Sequence, residues 1–141
     1  MVKQPDPKVE MILLNYNGLE DTLECVSSLE KLTYRNYSII IVDNGSRPEQ
    51  LEGLKRELGA TCTIIETGAN LGFAKGFNVG MRYALGQGAQ YLLIMNNDIV
   101  VSPDALTRLL EEAETDPTIG LLSPRIYYYS RPQYFYFPMQ T

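Results

Sequence analysis

Short polar clusters interrupt the apolar segments of this sequence, and their side chains are of types that bind ligands in proteins. Asparagine, aspartate and glycine also form turns, so a turn alone explains any single cluster. Carboxylates at positions 43 and 98 go beyond that explanation, because Ser, Asn or Gly would serve a turn equally well there. The clusters are Asn15-Tyr16-Asn17, Asp43-Asn44-Gly45, Asn70-Leu71-Gly72 and Asn96-Asn97-Asp98.

These clusters stand next to the ends of predicted strands. Apolar runs predict strands at residues 9–14, 37–42, 61–66, 91–95 and 119–123, with 126–129 as a sixth candidate. Helical spacing of apolar residues predicts helices over 19–29, 48–58, 73–85 and about 103–115, the last capped by Ser102. The alternation predicts an α/β fold, a doubly wound, mostly parallel sheet with helices on both faces.

The order of strands and clusters predicts a binding edge. Ligands of open parallel sheets bind at the carboxyl ends of the strands. Four strands lead into the four clusters, so the fold would bring amides, an aromatic ring and two carboxylates to one edge.

Composition excludes several classes of function. The sequence has no histidine, which rules out a Cys/His zinc site and a histidine base. Its net charge of −5 argues against a nucleic-acid binder. Cys25 and Cys62 lie far apart in apolar surroundings, which favours core thiols in a reducing compartment. The polar start is not that of a signal peptide, and no apolar run has the length of a membrane span.

Common nucleotide motifs are also missing. No G-x-G-x-x-G follows the first strand and there is no Walker A loop. A response regulator would place acids after the first strand, where this sequence has Asn15 and Asn17.

Four segments nevertheless form a familiar ordered set: VEMILLNYNG, IIIVDNGS, NLGFAKGFNVG and YLLIMNNDIVVSPDAL. Together they resemble the family-2 inverting glycosyltransferases, which have the GT-A fold, and most closely the rhamnosyltransferase-like branch. The resemblance covers residues 9–129. It implies transfer of a sugar, with rhamnose as a candidate, from a UDP- or dTDP-sugar to a glycan or lipid-linked acceptor.

The resemblance also implies roles for individual residues. Tyr16 would stack on the nucleotide base. Asp43 would accept the N3–H of uracil or thymine, which does not distinguish UDP from dTDP. Gly72 and Gly76 would let the backbone approach the ribose and diphosphate. The implied nucleotide-binding residues are Asn15, Tyr16, Asn17, Asp43, Asn44, Gly45, Asn70, Gly72, Gly76, Asn96 and Asn97.

Asn96-Asn97-Asp98 matches the family's D-x-D motif with the first acid replaced by an amide. A leaving diphosphate needs charge stabilisation, which a divalent cation with oxygen ligands provides. The resemblance therefore implies Mg²⁺ or Mn²⁺ as cofactor and Asp98 as its ligand, with Asn96 offering only a neutral oxygen.

Relatives of this kind are longer, so we expect the chain to be an amino-terminal donor-binding part whose catalytic base lies beyond residue 141. The expected division is a tail at 1–8, a nucleotide-sugar-binding domain at 9–126 and the aromatic start of an acceptor half at 127–141. We expect self-association through the aromatic residues 127–138. The expected location is cytoplasmic, with peripheral association at the inner face of the membrane as a further expectation.

Two other functions remain open. One is a non-catalytic nucleotide-sugar-binding module. The other is a nucleotidyltransferase, although that class favours a Gly-rich basic loop after the first strand and LLNYNGLEDT has no Lys or Arg.

Overall fold

The computed structural model describes residues 6–136. Strands and helices alternate along most of this range, as the sequence predicts. The elements are β1 (Val9–Asn15), α1 (Leu19–Leu29), β2 (Tyr37–Asp43), α2 (Pro48–Leu58), β3 (Thr63–Glu66), α3 (Phe73–Gly86), β4 (Tyr91–Asn96), α4 (Ala105–Ala113), β5 (Ile126–Tyr128) and β6 (Arg131–Tyr136).

The first four strands form one parallel sheet in the order β3-β2-β1-β4. β1 is therefore central, with β2 and β4 on its two sides. Strands β5 and β6 form a separate antiparallel pair. The predicted α/β fold with a parallel sheet is confirmed.

Side chains along β1 alternate between two apolar layers, as the two-residue period of a strand requires. Met11 and Leu13 face the layer formed with α1, α2 and α4. Ile12 faces the opposite layer, where it packs with Phe77 and Ala84 of α3. Complete burial of a leucine or isoleucine side chain stabilises the fold by about 1.5–3 kcal/mol, so both layers hold the sheet in place.

Two glycines of helix α3 face the sheet, where a side chain would have no room. A Cβ at Gly80 would lie 2.5 Å from Ile12 Cγ2, and one at Gly76 would lie 2.5 Å from Leu14 Cδ1. Gly80 therefore serves the packing of α3 against the sheet. Gly76 likewise approaches the sheet closely, and its expected closeness to the ribose and diphosphate stays a prediction.

Two predictions about the second half of the chain were wrong. Residues 119–123 are not a strand, because they have no neighbouring strand with which to pair. Leu121 is instead exposed. Helix α4 begins at Ala105 and is not capped by Ser102, whose hydroxyl donates to Asp104 Oδ1 at 3.1 Å.

Both cysteine thiols are free and buried, as predicted for core thiols. Burial raises the pKa of Cys25 to about 11, and it also raises the pKa of Cys62. Both thiols are therefore protonated and unreactive near neutral pH. Between residues 6 and 136, no helix has the length and apolar character needed to cross a membrane.

Candidate functional site

The carboxyl ends of the central strands bring three of the polar clusters together, as predicted. Asn15 at the end of β1 pairs in register with Asp43 of β2. On its other side, Leu14 pairs with Asn96 of β4. The fourth cluster follows β3 and reaches the same edge through hydrogen bonds to Asn44.

Asn15 lies at the centre of this edge and has no exposed surface. Its Nδ2 donates to Asp43 Oδ1 at 2.9 Å and to Ser46 Oγ at 3.2 Å. Its Oδ1 accepts from Gly18 N at 3.2 Å and from Thr22 Oγ1 at 3.0 Å. Protein groups thus occupy both polar atoms of the side chain, which supports the edge. Its expected place in the nucleotide site stays a prediction.

Asp43 is equally enclosed, with 1% of its surface exposed. One carboxylate oxygen accepts from Asn15, and the other accepts from Ser46 N at 3.1 Å. These contacts enclose the carboxylate, and through them Asp43 shapes the turn at 44–46. Its expected contact with the nucleotide base stays a prediction.

Asn44 ties the loop before α3 to the end of β2. It is 3% exposed, and its Nδ2 donates to Asn70 Oδ1 at 3.1 Å and to Gly72 O at 3.3 Å. Its Oδ1 accepts from Leu71 N at 3.0 Å. One amide therefore holds three consecutive residues of the loop, using donors and acceptor together.

Gly45 makes this arrangement possible. Its φ of +81° lies in the left-handed region that glycine adopts without strain. A Cβ at this position would lie 2.5 Å from the backbone carbon of Ala69. The glycine is needed for the close approach of two backbone segments, and this contact keeps the 69–72 loop at the sheet edge.

Other side chains at the same strand ends face outward. Tyr16 is 53% exposed, and Asn96 and Asp98 are exposed as well. No hydrogen bond or ion pair links the Asp98 carboxylate to another residue in the range 6–136. We call Asn15, Asp43, Asn44 and Asn97 the inner row, and Tyr16, Asn96 and Asp98 the outer row.

Two of the predicted residues join neighbouring turns. Asn17 has a φ of +54°, which asparagine tolerates better than most residues, and its Oδ1 accepts from Arg47 N at 2.8 Å. Asn97 donates through Nδ2 to Thr22 Oγ1 at 2.8 Å, which ties the turn after β4 to helix α1.

A cleft of about 180 Å³ opens beside Asp98. Asp21 and Glu24 of α1 also line it, together with Tyr129. The Tyr129 hydroxyl donates to Glu24 Oε1 at 2.6 Å. The sequence patterns did not predict Asp21 or Glu24 at the site, and they placed Tyr129 only in the aromatic self-association segment. Asp21 and Glu24 are three positions apart on one face of α1, and this spacing could have indicated them.

The donor chemistry of this cleft fits a hard divalent cation. Carboxylate oxygens are the ligands that Mg²⁺ and Mn²⁺ prefer. Among residues 6–136, no three His, Cys, Asp or Glu side chains are placed to hold a metal by themselves. The residues therefore suit a cation that takes one or two carboxylates and completes its shell with phosphate and water.

The β5–β6 hairpin presents a second, aromatic surface. A cavity of about 430 Å³ lies along it, lined by Tyr128, Tyr134 and Phe135 among others. All residues of both strands are exposed. Residues 137 and 138 of the expected self-association segment lie outside the described residues.

Open parallel α/β sheets bind their ligands at the carboxyl edge, where this chain has its polar side chains. The family model for Glycosyl transferase family 2 matches residues 10–140, and the chain belongs to this family.

Curated relatives agree with the assignment. The bifunctional glycosyltransferase pgtA of Dictyostelium discoideum is 26% identical over 125 residues, covering 86% of this chain and 16% of its own length. An uncharacterized glycosyltransferase of Haemophilus influenzae is 29% identical over 115 residues, covering 80% of this chain and 35% of its own. The poly-β-1,6-N-acetyl-D-glucosamine synthase of Staphylococcus epidermidis is 26% identical over 132 residues, covering 89% of this chain and 31% of its own length. The chain thus spans between about a sixth and a third of these relatives.

Solved structures show the same fold. The mannosyltransferase PcManGT of Pyrobaculum calidifontis, solved with GDP-Man and Mn²⁺, matches with a TM-score of 0.73 and 21% identity over 83% of this chain and 35% of its own. S. aureus TarS 1–349 with UDP-GlcNAc matches with a TM-score of 0.64 and 16% identity over 86% of this chain and 38% of its own. These are GT-A glycosyltransferase structures, so the expected GT-A fold is confirmed.

Proposed function

We propose that this chain is the donor-binding part of a glycosyltransferase that moves a sugar from a nucleoside-diphosphate sugar to a glycan or lipid-linked acceptor. The observation that carries the proposal is the division of the sheet edge into two rows. The inner row is buried at Asn15, Asp43 and Asn44 and half-buried at Asn97, and the outer row is exposed and ends in Asp98. Family membership supports sugar transfer as the reaction.

The outer row offers a surface for the nucleotide. The exposed ring of Tyr16 is available to stack on a base, a contact that any flat base can make. We propose UDP or dTDP as the nucleotide and rhamnose as one candidate sugar. PcManGT and TarS were solved with GDP-Man and UDP-GlcNAc respectively, so GDP belongs in any test.

The amino terminus of α3 is the proposed place of the diphosphate. Gly72 precedes the helix with a φ of +80°, and no side chain caps the first turn. Free N–H groups at a helix start attract phosphate oxygens. Lys75 is exposed in the same turn and adds a positive charge. Asn44 holds the 70–72 loop that leads into this turn.

Asp98 is the proposed ligand for Mg²⁺ or Mn²⁺, with Asn96 as a neutral oxygen donor beside it. The cation, when bound, would neutralise charge on the departing diphosphate. Asp21 and Glu24 add negative charge to the cleft that Asp98 lines, which raises its attraction for a cation.

We propose inverting transfer, in which a carboxylate deprotonates the acceptor hydroxyl. We assign that role to none of the residues 6–136. The donor-binding residues proposed above bind and orient the nucleotide, and they are compatible with a base contributed by another part of a longer protein.

Calorimetric titration with UDP, dTDP and GDP, with and without Mn²⁺, tests the proposal. We expect one nucleotide to bind more tightly with Mn²⁺, and Asp98→Ala to remove the Mn²⁺ effect. Glu111→Ala is the matched control, because Glu111 is an exposed carboxylate on α4 that does not line the cleft beside Asp98. Absence of binding by all three nucleotides would contradict the proposal.

We also propose that the chain self-associates through the aromatic hairpin. Exposed Tyr, Phe and Ile side chains cover β5 and β6, and a two-stranded hairpin alone is marginally stable in water. Sedimentation of a clean monomer at high protein concentration would contradict this.

A further inference from the structure

Asn15 connects two turns that come from opposite sides of the central strand. Its amide donates to Asp43 of β2, and its carbonyl oxygen accepts from Asn97 Nδ2 at 3.3 Å, in the turn after β4. The three side chains form a continuous path across the edge, from one end of the inner row to the other.

The orientation of the Asn15 amide is fixed by its partners. Nδ2 faces the Asp43 carboxylate, which lies 2.9 Å away. Oδ1 faces the Gly18 backbone N–H, which can only donate. A flipped amide would bring donor against donor, so each atom has one position. Aspartate at position 15 would bring two carboxylates together in a buried place.

Asn97 passes this constraint to its neighbour. Its Nδ2 contacts Thr22 Oγ1 at 2.8 Å and Gly18 O at 3.3 Å, besides Asn15. These contacts hold Asn97 inward, while the next residue, Asp98, is exposed and lines the acidic cleft. The conformation of the turn, and with it the place of the Asp98 carboxylate, depends on the Asn97 anchor.

We propose that Asn15 is a positioning residue. Through Asn97, it fixes the Asp98 carboxylate relative to the turn at 44–46 that Asp43 holds. This inference rests on the proposed function, because it assumes that Asp98 binds a divalent cation next to a nucleotide. Partners that orient a metal ligand commonly change metal affinity by about 10- to 100-fold when they are lost.

Thr22→Val tests the Asn97 end of this path. The change keeps the size of the side chain and removes a hydroxyl that accepts from Asn97 and donates to Asn15 Oδ1 and Gly18 O. We expect the Mn²⁺ affinity of the nucleotide complex, measured by electron paramagnetic resonance, to fall by about tenfold. Metal-free nucleotide affinity should change by less than about twofold, because the contacts of Asp43 and Asn44 remain. Thr33→Val is the control for loss of a threonine hydroxyl, since Thr33 Oγ1 contacts Pro103 O and Thr107 Oγ1 and neither contact involves Asn97.

An exchange of side chains tests the Asp43 end. We expect Asn15→Asp alone and Asp43→Asn alone each to lower both thermal stability and Mn²⁺ affinity. The double variant places an amide donor opposite a carboxylate again. It should therefore recover most of the thermal stability and most of the Mn²⁺ affinity.

The outcomes distinguish failure of the positioning role of Asn15 from failure of the proposed function. Thr22→Val with lowered thermal stability and unchanged Mn²⁺ affinity would show a merely structural network and overturn the inference. Failure of the double variant to recover Mn²⁺ affinity while stability recovers would do the same. If the wild-type chain binds no nucleotide or Mn²⁺, the proposed function fails first, and the inference fails with it.

Discussion

The inner and outer rows come from the same strand ends but behave as opposites. Asn15 and Asp43 are almost completely buried, and protein groups occupy their polar atoms. Asp98, one residue beyond the inward-facing Asn97, is exposed and makes no hydrogen bond within the described residues. Adjacent residues of one polar cluster therefore differ in burial and in hydrogen bonding: Asn97 holds the edge, and Asp98 is exposed to solvent.

The difference is one of desolvation. A buried polar group that loses its partner costs about 1–3 kcal/mol, whereas exposed side chains are usually replaced within about 0.5 kcal/mol. Changes in the inner row should therefore lower stability and binding together. Changes in the outer row should lower binding alone.

Substitution of Asn15, in the inner row, is expected to have the largest effect on stability. Asn15→Leu keeps the size of the side chain but removes its donors and acceptor, leaving Asp43 and Thr22 without their buried partner. We expect the free energy of unfolding to fall by about 3 kcal/mol or more, measured by urea denaturation. A loss below about 1 kcal/mol would mean that the row does not depend on Asn15.

Asn44→Asp should have the next largest effect. The change places an oxygen where Nδ2 now donates to Asn70 Oδ1 and Gly72 O. We expect the free energy of unfolding to fall by about 1–3 kcal/mol and amide hydrogen exchange to become faster at residues 70–73. Exchange that stays as slow as in the wild type would contradict the role of Asn44 in holding the loop.

Asp98→Asn tests the outer row. The side chain is exposed and without a hydrogen bond inside the described range, so the free energy of unfolding should change by less than about 0.5 kcal/mol. The same variant should lose the Mn²⁺ dependence of nucleotide binding. A large loss of stability would place Asp98 in the inner row instead.

The smallest effect is expected at Tyr129. Its hydrogen bond to Glu24 raises the pKa of the phenol, because the bond favours the protonated form. The contact is present below the ordinary tyrosine pKa of about 10 and is lost as pH rises through the higher folded-state value. Glu24→Gln should move this titration downward, as measured by ultraviolet absorbance. An unchanged titration would show that Glu24 does not hold Tyr129.

Much of the fold follows from local patterns in the sequence. The apolar, β-branched run at Tyr37–Asp43 and the Pro48 start of α2 are local signals, and both elements form where expected. Residues 119–123 are as apolar as the true strands but lack a partner strand. Pairing is a long-range property that an apolar run does not contain.

The sequence predicted where the site lies, but it did not predict which of the side chains there are exposed. Polar residues at strand ends predicted the edge, because parallel strands end on the same side. Whether Asp43 faces solvent depends on Asn15 and Ser46, which come from other positions in the chain. The Tyr129–Glu24 contact joins residues 105 positions apart, and no local pattern indicates it.

The most direct test of the central claim is Mn²⁺-induced broadening of backbone amide signals in the presence of UDP, dTDP or GDP. Mn²⁺ broadens signals close to it, so its position is reported residue by residue. Our account predicts strong broadening at residues 96–99 and little at 87–90, which lie near Lys8 at the opposite end of the sheet. Broadening that is uniform along the chain, or centred away from Asp98, would contradict it.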